Sequence, residues 1–103
     1  DDAAECRVSL GLAYRETNQW DLSLAQHDLA IAYYIKQGKP RRAAEISEQL
    51  GQALLQAGRK DEARRYLSEA EQTYRKLNDN GKADQIKRMI AELPAPQAAQ
   101  PNP

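Results

Sequence analysis

The sequence is poor in the residues that build sheets, disulfides and membrane spans. Its 103 residues include no phenylalanine and only one cysteine, one tryptophan and one methionine. The single cysteine, Cys6, excludes an intrachain disulfide, and no run of about 18 apolar residues is long enough to cross a bilayer. Valine, isoleucine and threonine, which favour strands, are scarce. Strong helix formers (Ala, Leu, Gln, Glu, Lys and Arg) dominate, which predicts an all-α fold.

An excess of one charge is also missing. Fifteen Lys and Arg balance fifteen Asp and Glu, and the isoelectric point is near 6.8. Nucleic-acid and anionic-membrane binders normally carry a clear basic excess, so we expect neither partner. The lone cysteine favours a reducing, cytoplasmic location. A start without Met or a signal-peptide pattern suggests a domain cut from a longer protein.

The usual catalytic constellations are absent from the sequence. One histidine, His27, excludes a two-histidine metal site. The segment 38–40, Gly-Lys-Pro, lacks the spacing of a phosphate loop. The acidic residues at predicted helix ends are scattered and no pair is expected to converge: Asp1, Asp2, Asp79 and Glu92. We therefore predict no enzyme activity, no metal and no cofactor.

An internal repeat of 40 residues is the strongest feature that is present. A shift of 40 places Leu10-Gly11 on Leu50-Gly51, Asp21 on Asp61 and Tyr34 on Tyr74. A second shift matches Ala43 with Ala83 and Ile46 with Ile86. The chain therefore contains two full repeats, at about 3–40 and 43–80, and a third first helix.

Apolar residues at three- and four-residue spacing divide each repeat into two helices. Asn18 and Gly58, which tolerate the left-handed conformation, are predicted to end the first helices, and Asp21 and Asp61 to cap or open the second ones. Four prolines in residues 94–103 predict a disordered tail or linker. The predicted helices are 2–17, 21–37, 41–57, 61–77 and 82–93.

The repeat also predicts which positions form the core. Gly11 and Gly51 lie mid-helix, where glycine costs about 1 kcal/mol relative to alanine, so each marks a close helix crossing. Cys6 aligns with Ile46 and Ile86, which predicts a buried, small apolar residue. A second predicted core row is Leu10, Leu50 and Ile90.

These residues resemble the tetratricopeptide repeat family. The motif positions are Leu10, Gly11, Tyr14, Asn18, Ser23, His27 and Ala30, then Leu50, Gly51, Leu54, Gly58, Ala63, Leu67 and Ala70. The first repeat departs from the pattern at Asn18, Ser23 and His27. The 40-residue period is similar to that of arrays in bacterial multidomain regulators and some adaptor proteins. The resemblance implies a right-handed helical-repeat solenoid over residues 1–93, with two helix pairs and a capping helix at about 82–93.

The resemblance also implies a concave, partner-binding surface made by the first helices. Its predicted residues are Glu5, Val8, Ser9, Leu12, Arg15, Glu16, Glu45, Glu48, Gln49, Gln52, Gln56, Gln85, Arg88 and Met89. Some relatives hold a C-terminal carboxylate with Lys, Asn and Arg, but this groove lacks those residues at the matching positions, so we reject that mode. His27 takes the place of a large packing residue. Trp20 lies in the predicted turn and is interpreted as a packing residue rather than an interface anchor.

The predicted function is a protein-interaction module that binds a peptide or partner domain, as part of a larger scaffold or regulatory protein. One alternative is self-association, because the first helix has no helix ahead of it to cover one flank. A second alternative is a sensor of a small ligand or peptide in a bacterial regulator.

Overall fold

The computed structural model describes residues 2–94 and is helical over 84% of them, with no strand in that range. The helices are α1 (Asp2–Glu16), α2 (Trp20–Lys36), α3 (Pro40–Gln56), α4 (Lys60–Lys76) and α5 (Asn80–Ala91). Each lies within two residues of its predicted bounds, and the predicted all-α repeat fold is confirmed. Apart from Pro94, the predicted tail lies outside the described residues.

The four turns between helices share one geometry. Asn18, Gly38, Gly58 and Asn78 have φ of 62°, 73°, 79° and 63°. In the first turn the Asn18 amide donates to Arg15 O at 2.9 Å and the Gln19 amide to Tyr14 O at 2.8 Å, and the other three repeat this pair of bonds. This is a Schellman motif, which requires the left-handed residue that Gly and Asn tolerate. The turns recur every 20 residues, so the 40-residue repeat consists of two equal halves.

Asp21 and Asp61 were predicted to cap or open the second helices, and neither residue is an N-cap. α2 and α4 begin one residue earlier, and their N-cap residues make no side-chain cap hydrogen bond. The two aspartates lie in the first helical turn, where a negative charge faces the positive end of the helix dipole. Only α5 has a side-chain cap among these three helices: Asp79 accepts a hydrogen bond from the Lys82 amide at 3.3 Å.

The chain divides into two compact units within α3, and each has its own core. Unit 1, Asp1–Ile46, contains a cluster of buried apolar residues from α1, α2 and the start of α3. In unit 2, Ser47–Pro103, the largest fully buried side chains come from α3, α4 and α5. The unit 1 cluster is Ala4, Val8, Ala30, Tyr34, Ala43 and Ile46; the unit 2 residues are Leu50, Leu54, Tyr66, Leu67, Tyr74 and Ile86.

The two mid-helix glycines lie at close helix crossings, as predicted. A Cβ added to Gly51 would lie 2.6 Å from both Cγ and Cδ2 of Leu67, and one added to Gly11 would overlap the His27 ring. In the first repeat the crossing also carries a hydrogen bond, because Ser23 Oγ donates to Gly11 O at 2.7 Å. Ala63 stands at the matching position of the second repeat.

The predicted core rows are wrong in the first helix. Cys6 is exposed and Leu10 is 43% exposed, whereas Leu50 is 1% exposed. Ile46 and Ile86 are buried as predicted, and Ile90 is half-buried. The reason is positional: no helix in residues 2–94 covers the side of α1 that carries Cys6 and Leu10.

No helix within residues 2–94 combines the length and the hydropathy that a membrane span requires.

Candidate protein-interaction surface

The structure exposes only part of the predicted concave surface. Glu5, Arg15, Glu45 and Met89 are half-buried, and two further residues, Val8 and Glu48, are buried. The exposed residues of the predicted set are Ser9, Leu12, Glu16, Gln49, Gln52, Gln56, Gln85 and Arg88.

Val8 and Glu48, matching positions 40 residues apart, must be removed from the predicted surface. Val8 is 8% exposed and belongs to the unit 1 core with Tyr34 and Ile46. Glu48 is also 8% exposed, and its carboxylate has internal partners. It accepts a hydrogen bond from the Tyr74 hydroxyl at 3.0 Å and pairs with Lys82 Nζ at 3.5 Å. Neither side chain is accessible to a partner, because both are used within the fold.

Glu5 has the same kind of partners in the first repeat. The Tyr34 hydroxyl donates to Glu5 Oε2 at 2.5 Å, and Arg42 donates to both carboxylate oxygens at 2.9 and 2.8 Å. These bonds, first with Arg42 and then with Tyr34, lower the pKa of Glu5 to about 2. The same carboxylate raises the pKa of the Tyr34 hydroxyl. Arg42 also pairs with Glu45 at 3.4 Å.

The two repeats therefore share a cluster that we call the Tyr–Glu–cation cluster. In each, a tyrosine near the end of the second helix and a cation near the start of the next helix meet a glutamate on the preceding first helix. The tyrosines and cations are 40 residues apart, but the glutamates, Glu5 and Glu48, are 43 apart. The cluster ties three helices together in each unit. Sequence reasoning aligned Tyr34 with Tyr74 but did not connect them to the glutamates.

Three glutamines form the exposed strip that remains on α3. Gln49, Gln52 and Gln56 are three and four residues apart and therefore lie on one helix face. Apart from Arg41, they are the only exposed residues of this helix, which is otherwise buried or half-buried. Gln85 and Arg88 are exposed on α5, which Lys82 connects to α3 through Glu48. A glutamine amide offers two donor hydrogens and one acceptor oxygen, so the strip can pair with a peptide backbone.

The comparison with protein families accounts for this architecture. The family model of the soluble NSF attachment proteins (SNAP) matches residues 1–102. The chain belongs to the SNAP family. No curated protein and no solved structure matched the chain. SNAP proteins are α-helical repeat proteins similar to tetratricopeptide arrays, and theirs is an adaptor-type fold, which indicates protein partners.

His27 of this SNAP-family chain is a packing residue, as interpreted from the sequence. It is 3% exposed, and its Nδ1 lies 2.9 Å from Ser23 O. Burial lowers the pKa of His27 below its usual value, since the charged ring would lose water. Trp20 is 9% exposed, so it is a packing residue as interpreted. It is the first residue of α2, although a turn was predicted at this position. Within residues 2–94 no three His, Cys, Asp or Glu side chains are grouped to hold a metal.

Proposed function

We propose that this chain is a protein-interaction module that binds an extended peptide segment along the exposed strip of α3. The observation that carries the proposal is the glutamine strip of Gln49, Gln52 and Gln56, the main exposed part of an otherwise buried helix. Gln85 on α5 is proposed to extend this surface, and Ser9 and Leu12 on α1 are proposed as a separate contact. The SNAP family is named for attachment to NSF, which supports an attachment function for this chain.

The chemistry of the strip favours a peptide backbone over a charged side chain. The two glutamates of α3 are already paired: Glu45 with Arg42, and Glu48 with Lys82. The strip is therefore neutral, and its amides can both donate to and accept from a main chain. From Gln49 to Gln56 the helix rises about 10 Å, which matches about three residues of extended peptide. We expect binding to depend little on salt, because no exposed ion pair contributes.

We further propose that the chain is of the 40-residue-repeat type and works within a larger scaffold or regulatory protein. The 20-residue spacing of the four turns supports this type. The exposed, free Cys6 supports a reducing, cytoplasmic setting.

The test begins with peptides selected from a random display library against the wild-type protein. Their affinities are then measured by calorimetry for wild type and for the Gln49→Ala, Gln52→Ala, Gln56→Ala triple variant. We expect at least about a tenfold loss, as several hydrogen bonds of about 1 kcal/mol each are removed. The matched control, Arg65→Ala with Glu69→Ala, alters exposed residues of α4 and should leave affinity unchanged.

Two results would contradict the proposal. The first is unchanged affinity of the selected peptides for the glutamine variant while the α4 control loses binding. The second is a loss of helical circular dichroism in the glutamine variant, which would make the strip part of the fold. A variant of Leu12 and Arg15 tests the separate contact on α1 by the same measurements.

A further inference from the structure

The crossing of α1 and α2 contains an ionisable side chain, whereas the matching crossing of α3 and α4 is apolar. His27 is 3% exposed, and its ring occupies the space that a Cβ on Gly11 would need. Leu67 and Ala63 stand at the positions that match His27 and Ser23, and both are fully buried. The first repeat therefore has a group that can gain a charge where the second repeat has a leucine.

The hydrogen bonds at the first crossing fit a neutral ring. Nδ1 of His27 lies 2.9 Å from Ser23 O, and because a carbonyl oxygen only accepts, Nδ1 carries the proton. The Ser23 hydroxyl donates to Gly11 O at 2.7 Å, so its hydrogen is already used across the crossing. Nε2 has no protein acceptor in the described part of the chain. A second proton would therefore charge a buried ring for which the fold supplies no new partner.

The charged groups around His27 do not compensate for its burial. Within residues 2–94 two of them act on the ring: Arg15 of α1 disfavours a charged ring, and Asp28 of α2 favours one. Burial acts more strongly than either and lowers the pKa of His27. The ring is therefore easier to protonate when α1 moves away from it, because water can then solvate the charge.

The first half of α1 is held by contacts of a different kind. Ala4 and Val8 pack in the unit 1 core, and Glu5 is bonded to Tyr34 and Arg42. The pKa of Glu5 is about 2, so its carboxylate keeps its charge throughout the range from pH 7 to pH 5. Mild acid therefore leaves the first half of α1 attached.

We propose that mild acid, below about pH 6.5, opens residues 11–16 of α1 away from α2 while the first half of α1 stays bound. The core before this segment and the turn at Asn18 after it hold both of its ends. Within the segment only Gly11 is buried, and Tyr14 and Arg15 are half-buried. An opening of this size is local, so unit 2 stays folded.

The opening has a consequence for the surface of α1. Leu12, which belongs to the proposed separate contact on this helix, is exposed and lies in the segment that opens. Opening moves Leu12 relative to Ser9, so mild acid should release a partner that is bound there. This consequence rests on the proposed function, whereas the opening itself does not.

Hydrogen exchange of the backbone amides, followed by NMR at pH 7 and pH 5, tests the opening. Protection factors remove the effect of pH on the chemical exchange rate. For residues 11–16 we expect protection to fall severalfold, with a ceiling of about 25-fold that the pKa of about 6.5 of an exposed histidine sets. Residues 51–56, the matching segment of α3, should keep their protection within about twofold.

The NMR signals of the His27 ring provide a second measurement on the wild-type protein. The lowered pKa of His27 means that the opened segment binds a proton more readily than the closed one. Protection of residues 11–16 should therefore fall from about pH 6.5 and level off below the midpoint of the ring's own titration. This agreement needs no variant.

Two variants separate the titration of His27 from other effects of acid. His27→Leu introduces the residue of the second repeat, and His27→Gln keeps a polar side chain without a titrating ring. In each variant the protection of residues 11–16 should be equal at pH 7 and pH 5 within about twofold. The triple glutamine variant of α3 should open like wild type, so this proposal and the proposed function can fail separately.

Four outcomes would overturn the proposal. The first is unchanged protection of residues 11–16 between pH 7 and pH 5, and the second is an equal fall in residues 51–56. The third is an undiminished fall in a folded His27 variant. The fourth is a lack of measurable protection at pH 7, which would show that the segment is open before acid is added.

Discussion

Replacing Gly51 with alanine tests whether the crossing of α3 and α4 holds these helices together. The added Cβ would lie 2.6 Å from Cγ and Cδ2 of Leu67 and 3.4 Å from its backbone nitrogen. Leu67 is fully buried, so it has no open space into which to move. In an open helix the same change would stabilise the protein by about 1 kcal/mol.

Two opposing terms set the expected magnitude. Overpacking a core typically costs about 1–3 kcal/mol, and the helix-propensity gain offsets about 1 kcal/mol of that. We expect Gly51→Ala to be destabilised by up to about 2 kcal/mol, which lowers the melting temperature by up to roughly 8–16 °C in a domain of this size. Gly51→Leu, with a larger side chain, should lower it further.

A double-mutant cycle makes the assignment specific. Leu67→Ala alone should cost about 2–5 kcal/mol by leaving a cavity. In that background Gly51→Ala should become neutral or stabilising, because the clashing atoms are gone. Gly81→Ala is the control, since no atom lies within 4 Å of its Cβ position, and it should be neutral or gain up to about 1 kcal/mol.

Urea unfolding followed by circular dichroism supplies the four free energies of the cycle and the control. If Gly51→Ala stabilises the wild-type protein as Gly81→Ala does, the crossing is not tight and the reasoning fails. Equal effects of Gly51→Ala with and without the Leu67 side chain would show that the two residues do not interact.

Three further predictions concern Glu5, His27 and the C-terminal segment. Glu5→Gln should cost about 1 kcal/mol of unfolding free energy at pH 7, a modest value because the carboxylate is partly exposed. Since the folded pKa of Glu5 is about 2, the difference in unfolding free energy from wild type should shrink as pH falls from about 4.5 to 2. Urea unfolding at each pH measures this difference, and a constant value would refute the pairing. His27 has a lowered pKa, so wild type should lose stability as pH falls below about 6.5. In His27→Leu, which introduces the residue found at position 67, the melting temperature should depend less on pH between pH 7 and 5. Parallel pH profiles of the two proteins would count against a buried neutral ring. Deleting residues 95–103 should change the melting temperature by less than about 5 °C, because their composition offers no core, and a larger drop in calorimetry would show that they contribute to the fold.

The sequence predicted the helices and turns well because both depend on local chemistry. Asn18 and Gly58 ended helices as expected, since their residue types tolerate a positive φ. The repeat also located the crossings at Gly11 and Gly51, because glycine weakens a helix interior and is useful there mainly where another helix lies close. The turn predictions needed only the residue and its near neighbours in sequence, and the crossings needed the repeat as well.

Burial was harder to predict, because it depends on what lies next to a helix. The repeat placed Leu10 and Leu50 in one row, yet only Leu50 has a helix against that side. Glu48 was expected to face a partner, and it faces Tyr74 and Lys82 instead. Positions at which the two repeats differ, such as Leu29 and Glu69, indicate where the surroundings of the two repeats differ.

The four identical turns have a consequence for how proteases attack this chain. Gln19, Lys39, Arg59 and Asp79 each complete one helix end with their amide, while their carbonyl accepts the first hydrogen bond of the next helix. The backbone of each linker is therefore bonded on both sides. A protease needs several residues of extended chain, and exposed loop tips normally supply them. Here trypsin cleavage after Arg59 requires a helix end to open first, so its rate measures local unfolding of the helices and not the motion of a loop.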